Sequence, residues 1–333
     1  SPQRSMPKGM EEGVMGGVGT DSNGLESCAC FDAEKTHFSK SGDIQKLEQL
    51  LFEAYKSPIS VTRIRDLPTT RKEVKEVFFL TNTGVSKVWL FKAEPEKTAE
   101  ELCIYYIAHN KGIPTGKPIG YEPSTKKLDY PFDVAIIGGV VEHAGDPFND
   151  LIQNIELRPD LVFKTAANIG RVIADYHVKL TAARNEFSKY GMKLKPLRPT
   201  SELKERMFAA LGTEDNALTE ACEALYNEQS GLQVVSHGDI HTGNLVTLLK
   251  FDEMTKQQST SIDEFGVIDW GSLGLDNPYG DLVDFWLHHK RVAKNICGDS
   301  YEYGFDHIEA EYNNQLQESM QTTGFNLDLS NSN

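Results

Sequence analysis

Apolar positions first become periodic at Asp43. Ile44, Leu47, Leu50 and Leu51 recur at the spacing of one helix face and predict a short amphipathic helix. Three runs rich in β-branched and aromatic residues follow: Ser60–Asp66, Val74–Thr81 and Ser86–Lys92. Asn82-Thr83-Gly84 joins the last two and predicts a hairpin turn. Glu96–Asn110 reads as a helix stopped by Gly112 and Pro114, since glycine accepts a left-handed cap and proline cannot continue the ladder. Phe132–Val141 is strand-like again.

Beyond Gly145 the period lengthens. Val162, Ala166, Ile169, Ile173, Tyr176 and Leu180 step by four and three alternately, the mark of one buried helix face. Ser201–Asn227 is also helical in pattern. Short apolar runs at Leu232–Val235, Leu245–Leu249 and Phe265–Ile268 predict small strands, and helices resume over Asp281–Lys294 and His307–Gln321. Strands with one helix, then mostly helices, form an α+β chain of two lobes rather than an alternating βαβ chain. Asp43–Val140 would be the small antiparallel lobe and residues 141–325 the mainly helical one. Residues 326–333 would be a flexible tail.

Composition narrows the class. At about 100–200 residues per domain, 333 residues suit two domains, and 39% hydrophobic with 25% charged residues is an ordinary soluble composition. No apolar run approaches the roughly 18 residues of a membrane span. A net charge of −15 and a pI near 5.1 argue against a nucleic-acid partner, which needs a basic face, and would suit a cationic one. The five cysteines, Cys28, Cys30, Cys103, Cys222 and Cys297, are odd in number and scattered, which points to a reducing, cytoplasmic location. No second pair at finger-like spacing follows Cys28 and Cys30, so free thiols are the simpler reading. Residues 1–42 carry a glycine-rich polar stretch, Gly13 to Gly24, and predict a flexible tail without the apolar segment of a secretory signal.

The densest polar cluster is His237-Gly-Asp239-Ile-His241-Thr-Gly-Asn244, followed by Gly266-Val-Ile-Asp269-Trp270-Gly271. In each, an acidic residue sits at the edge of an apolar strand-like run, where a buried strand can hold a carboxylate at a cleft. Asp239 and Asn244 are spaced like the Asp and Asn of the protein-kinase catalytic loop.

The ordered pair H-G-D-x-x-x-x-N and I-D-W, with Asn277-Pro278-Tyr-Gly-Asp281-Leu282 after it, resembles the aminoglycoside phosphotransferase/choline kinase-like superfamily over about Ser60–Leu287. That resemblance implies a bilobal protein-kinase-like fold and transfer of the γ-phosphate of Mg-ATP to a hydroxyl or amine of a small acceptor. It casts Asp239 as the catalytic base and Asn244 and Asp269 as magnesium ligands. Lys92 would contact nucleotide phosphates and Glu101 would pair with it, Glu100 being the alternative. Glu142 and Ala144 would lie in the hinge that meets adenine, and Asp281 would brace the catalytic loop. The cofactors implied are ATP and Mg²⁺; the acceptor's identity and the oligomeric state are not implied.

Two departures from the family pattern stand out. Asp66-Leu-Pro-Thr-Thr-Arg-Lys-Glu73 has no glycine where the family's phosphate loop commonly has one, and Thr69 and Thr70 could substitute through hydroxyls. Phe251–Glu264 lengthens the interval between Asn244 and Asp269, and its polarity predicts a surface loop.

Blander and rival readings exist for the same letters. Asp239 and Asp269 could be turn residues, Lys92 and Glu101 solvated charges. His237 is expected to pack beneath the loop and bond backbone, and His177 to be core. Asp239-Ile-His241 could open a metal-dependent hydrolase site, but the further Asp, Asn and His ligands of such a site do not follow. The non-enzyme alternative is a pseudokinase that binds nucleotide or a partner without turnover. The missing loop glycine favours it and the intact Asp239, Asn244 and Asp269 oppose it.

Overall fold

A computed structural model describes residues 41–67, 73–92, 95–119, 139–142, 145–147, 159–197, 233–252, 257–298 and 304–327. Helix α1, Ser41–Tyr55, buries Leu47, Leu50 and Leu51 and ends where Lys56 turns to a φ of 51°. Strands β1 (Ser60–Leu67), β2 (Glu73–Thr81), β3 (Gly84–Lys92) and β4 (Gly139–Glu142) follow one another across an antiparallel sheet. The predicted hairpin is present: Thr81 pairs with Gly84 across the Asn82-Thr83 turn, where Gly84 has a φ of 128°.

Period-two alternation gives this sheet two different faces. Val77, Phe79, Val88 and Leu90 meet α1 in one core. Trp89 and Val141, register partners on the other face, belong to the core that contains helix α2, Pro95–Asn110. Gly112, at φ 69°, and Pro114 end α2 as predicted, with Ile113 N–H returning to Ala108 O at 3.0 Å.

The remaining elements are mainly helical. Helix α3, Pro159–Ala182, buries Ala166, Ile169, Ile173, Tyr176 and Leu180, the predicted stripe. It is followed by α4 (Arg184–Lys189), and later by α5 (Tyr279–Cys297) and α6 (Gly304–Thr323). Gly170 lets α3 approach α6 closely, since a Cβ there would stand 2.4 Å from Ile308 O. Between α4 and α5 lie β6 (Val234–Ser236), β7 (Leu245–Asp252), β8 (Gln257–Val267) and β9 (Gly274–Asp276). β6 pairs with β9, while β5 (Gly145–Pro147), β7 and β8 form a second small sheet. None of the described helices is long and apolar enough to cross a membrane.

The described residues of the segment Phe251–Glu264, 251–252 and 257–264, are strand rather than the loop their polarity suggested. Phe251 pairs with Gln258 and Asp252 with Gln257, so the insertion lengthens the β7–β8 hairpin. A backbone ladder satisfies its own N–H and C=O groups and needs no apolar side chains to do so. The chain is followed to Leu327, which is buried. Residues 1–40, the predicted helix Ser201–Asn227, residues 68–72 of the glycine-free loop, and residues 132–138 of the predicted strand Phe132–Val141 lie outside the described residues.

Candidate active site

The two acidic segments meet at the root of the β7–β8 hairpin. Asp239 follows β6, and Asn244 ends the short 3₁₀ turn Thr242–Asn244 that leads into β7. Asp269 follows β8 and precedes the 3₁₀ turn Trp270–Ser272. Leu245 pairs with Val267, and the next residue, Ile268, donates its N–H to Asn244 O at 3.0 Å. His237 closes the join from below. It is fully buried, accepts the Asp239 N–H at Nδ1 (3.3 Å) and so donates from Nε2 to Ile268 O (2.9 Å). Both ring nitrogens are thereby committed to backbone, as the bland reading of this histidine predicted. They are not placed to ligate a metal.

Asn244 Nδ2 donates to Asp239 O at 2.8 Å. That bond fixes the amide's orientation and leaves Oδ1 as its acceptor end. An amide oxygen and the Asp269 carboxylate are the hard oxygen donors that Mg²⁺ takes, so the residues present fit that ion by their chemistry. Among the described residues no group of three or more His, Cys, Asp and Glu side chains gathers as a metal cluster, which gives the two-metal hydrolase reading no support.

The loop before Asp239 rests on Asp281. This carboxylate, fully buried near the start of α5, accepts the His237 N–H at 2.8 Å and the Gly238 N–H at 3.0 Å. It also accepts the Tyr176 hydroxyl at 2.6 Å and lies 3.0 Å from His177 Nε2. Burial alone would raise its pKa. The His177 hydrogen bond and charge, with His237 and the Tyr176 hydroxyl, outweigh burial and hold the carboxyl well below the usual range. His177 Nδ1 in turn meets the Tyr312 hydroxyl of α6 at 2.9 Å, so three helices converge on the brace. Gly238 is required here: its φ is 81° and a Cβ would stand 2.5 Å from Ser272 O. Just before α5, Asn277 Oδ1 accepts the Tyr279 N–H at 3.0 Å.

Helix α2 reaches the Asp269 segment. Tyr105, 3% exposed, accepts the Asp269 N–H at 2.9 Å. Burial, then the charge of Glu101, push its phenol well above the ordinary value, so it stays protonated. A Cβ added at Gly271 would lie 3.5 Å from Glu101 Oε2 and 3.6 Å from Asp269 Oδ1, which places both carboxylates around one point. Just after α2, Thr115 donates to Val267 O at 2.6 Å and receives Trp270 Nε1–H at 3.1 Å. Beside Asp239, His241 accepts the Gly243 N–H at Nδ1 and its ring lies 5.3 Å from that of His288. Burial lowers its pKa against the pull of Asp239, which keeps the imidazole neutral near pH 7.

Residues 75–303 match the profile of the phosphotransferase enzyme family. The chain belongs to this family. No curated protein matches it. Solved structures similar to it include a candidate aminoglycoside phosphotransferase from Ralstonia eutropha JMP134, at 16% identity, 83% of this chain, 84% of that one and a TM-score of 0.46. An ethanolamine kinase from Plasmodium vivax matches at 14% identity, 78% and 71% coverage and a TM-score of 0.41. A choline kinase from Cryptosporidium parvum Iowa II matches at 9% identity, 80% and 89% coverage and a TM-score of 0.39. Family membership rests on the profile match, and the α+β class on the order of the elements above.

For this phosphotransferase-family chain the structure brings Asp239, Asn244, Asp269 and Glu101 into one neighbourhood. Glu101 is buried, while Glu100, the alternative, is exposed. Lys92 ends β3 opposite Glu73, and Glu142 ends β4 opposite Val88. The side chains of Lys92 and Glu142, and all of Ala144, lie outside the described residues. Sequence reasoning missed Tyr105 and Thr115. Tyr105 follows Glu101 by one helical turn, so the α2 face already assigned to the cleft was the available signal. Nothing local marked Thr115.

Proposed function

We propose that the chain transfers the γ-phosphate of ATP to a hydroxyl, or less often an amine, of a small acceptor. Asp239 orients the acceptor and takes its proton as the acceptor oxygen bonds to the γ-phosphorus. The bond from that phosphorus to the bridging oxygen breaks, and ADP leaves with the electron pair. Asn244 Oδ1 and the Asp269 carboxylate would hold Mg²⁺, which when bound neutralises phosphate charge. Lys92 contacts the phosphates with Glu101 as its partner, and backbone at Glu142 and Ala144 meets adenine. The acceptor approaches from the helical lobe, where an acidic chain favours a cation.

The observation that carries this reading is the stitched pair of motifs. Asn244 is tied to Asp239 by its amide and to Ile268 by its carbonyl. The Asp239 loop, Asn244 and the strand end before Asp269 are thereby held as one unit, which supports this reading because positioning catalysis needs its groups held together. The intact set speaks against a pseudokinase. ADP release would be screened over small hydroxyl and amine acceptors, cationic ones included, for the wild type and Asp239→Asn. An active wild type with turnover about 10³-fold lower in the variant supports the assignment. Undiminished turnover in Asp239→Asn would remove Asp239 as the base.

A further inference from the structure

Asp269 is one of only two non-glycine residues with positive φ among those described, at φ 63° and ψ 61°. A left-handed backbone is disfavoured for a residue that carries a side chain. It persists only where its surroundings impose it. The neighbours on each side are tied: Ile268 through both its N–H and its C=O, Trp270 through its indole N–H to Thr115. The N–H of Asp269 itself goes to the phenol oxygen of Tyr105, 164 residues earlier in the chain. Rotation about the N–Cα bond of Asp269 sets the direction of its carboxylate, and this bond fixes the peptide plane from which that rotation is measured.

We infer that Tyr105 is a positioning residue for the metal end of the site: its hydroxyl holds Asp269 left-handed and so sets where the Asp269 carboxylate points. The inference rests on the reading of Asp269 as a magnesium ligand. A purely structural role would change stability alone, whereas a positioning role changes the magnesium requirement.

The test uses Tyr105→Phe, which keeps the ring in its buried place and removes only the hydroxyl. The Mg²⁺ concentration for half-maximal ATP binding should rise about tenfold, the usual scale for a support behind a ligand. ATP affinity without Mg²⁺ should not change. In an Asp269→Asn background the same Tyr105→Phe change should add no further shift. In the wild type, without metal or nucleotide, the Asp269 amide should exchange slowly with solvent; this readout does not depend on any variant folding. An unchanged Mg²⁺ requirement in Tyr105→Phe, or a rapidly exchanging Asp269 amide, would overturn the inference and leave the functional reading standing. A wild type that binds ATP equally with and without Mg²⁺ would overturn both.

Discussion

The two acidic ends of the site are held by different physics. The Asp239 loop hangs on the buried Asp281 carboxylate, which gathers two backbone N–H groups, a phenol and an imidazole from within the helical lobe. The Asp269 turn is held by neutral groups of α2 and the turn after it: the Tyr105 hydroxyl, the Thr115 hydroxyl and Pro114 O, which accepts the Val267 N–H at 2.9 Å. Hydrogen bonds to an ionised acceptor are roughly twice as strong as neutral ones. The Asp239 end is therefore fixed by charge inside one lobe. The Asp269 end depends on neutral contacts that reach across from the other.

The largest expected effect lies on the charged side. Asp281→Asn replaces one of two acceptor oxygens with a donor and leaves one of the two backbone N–H groups without a partner. It should cost about 3–5 kcal/mol in denaturant unfolding, the scale for breaking a buried charged cluster. A loss below about 1 kcal/mol would mean that charge is not what holds the loop.

Acid separates the brace from a second buried group on the same helix. Burial pushes His289 down to about 4 from 6.5. A depressed histidine stays neutral while the unfolded chain takes up protons. Its contribution is therefore complete above pH 6.5 and is lost as the pH falls toward 4. The loss is about 3 kcal/mol by linkage. Asp281 has the opposite chemistry and a later window: its folded pKa is depressed, so its contribution is complete above the ordinary carboxylate pKa and fades only below it. Stability of the wild type should thus drop between pH 6.5 and 4, and His289→Leu should flatten that drop without touching the brace. An equal drop in the variant would assign the acid sensitivity elsewhere.

The smallest effect is expected on the neutral side. Thr115→Val keeps the shape and removes the hydroxyl between Val267 O and Trp270 Nε1. About 1–3 kcal/mol should be lost, because a buried indole N–H is left without its acceptor. A loss as large as that of Asp281→Asn would erase the distinction between the two ends.

How far the sequence reached follows the same division between local and distant information. Local signals were readable: the α1 and α3 faces, the Asn82-Thr83 hairpin, the glycine and proline that end α2, and the fixed interval from Asp239 to Asn244. Contacts between residues far apart in the chain were not. The bond from Tyr105 to Asp269 leaves no periodic trace, because one tyrosine on an apolar helix face reads as core. Tyr176 and His177 likewise read as core, although their polar ends face Asp281. The Phe251–Glu264 segment misled for a different reason. Its composition is that of a loop, while the backbone ladder that makes its described residues parts of β7 and β8 is indifferent to side-chain polarity. The nucleotide half of the site stands apart again: Lys92, Glu142 and Ala144 follow from the family resemblance, and their side chains carry no geometry to set beside it.

Calorimetric titration of the wild-type chain with ATP, in the presence and absence of Mg²⁺, tests the central claim most directly. Held together as they are, Asn244 and Asp269 should make nucleotide binding markedly tighter when Mg²⁺ is present. An absence of ATP binding in both conditions would contradict the account.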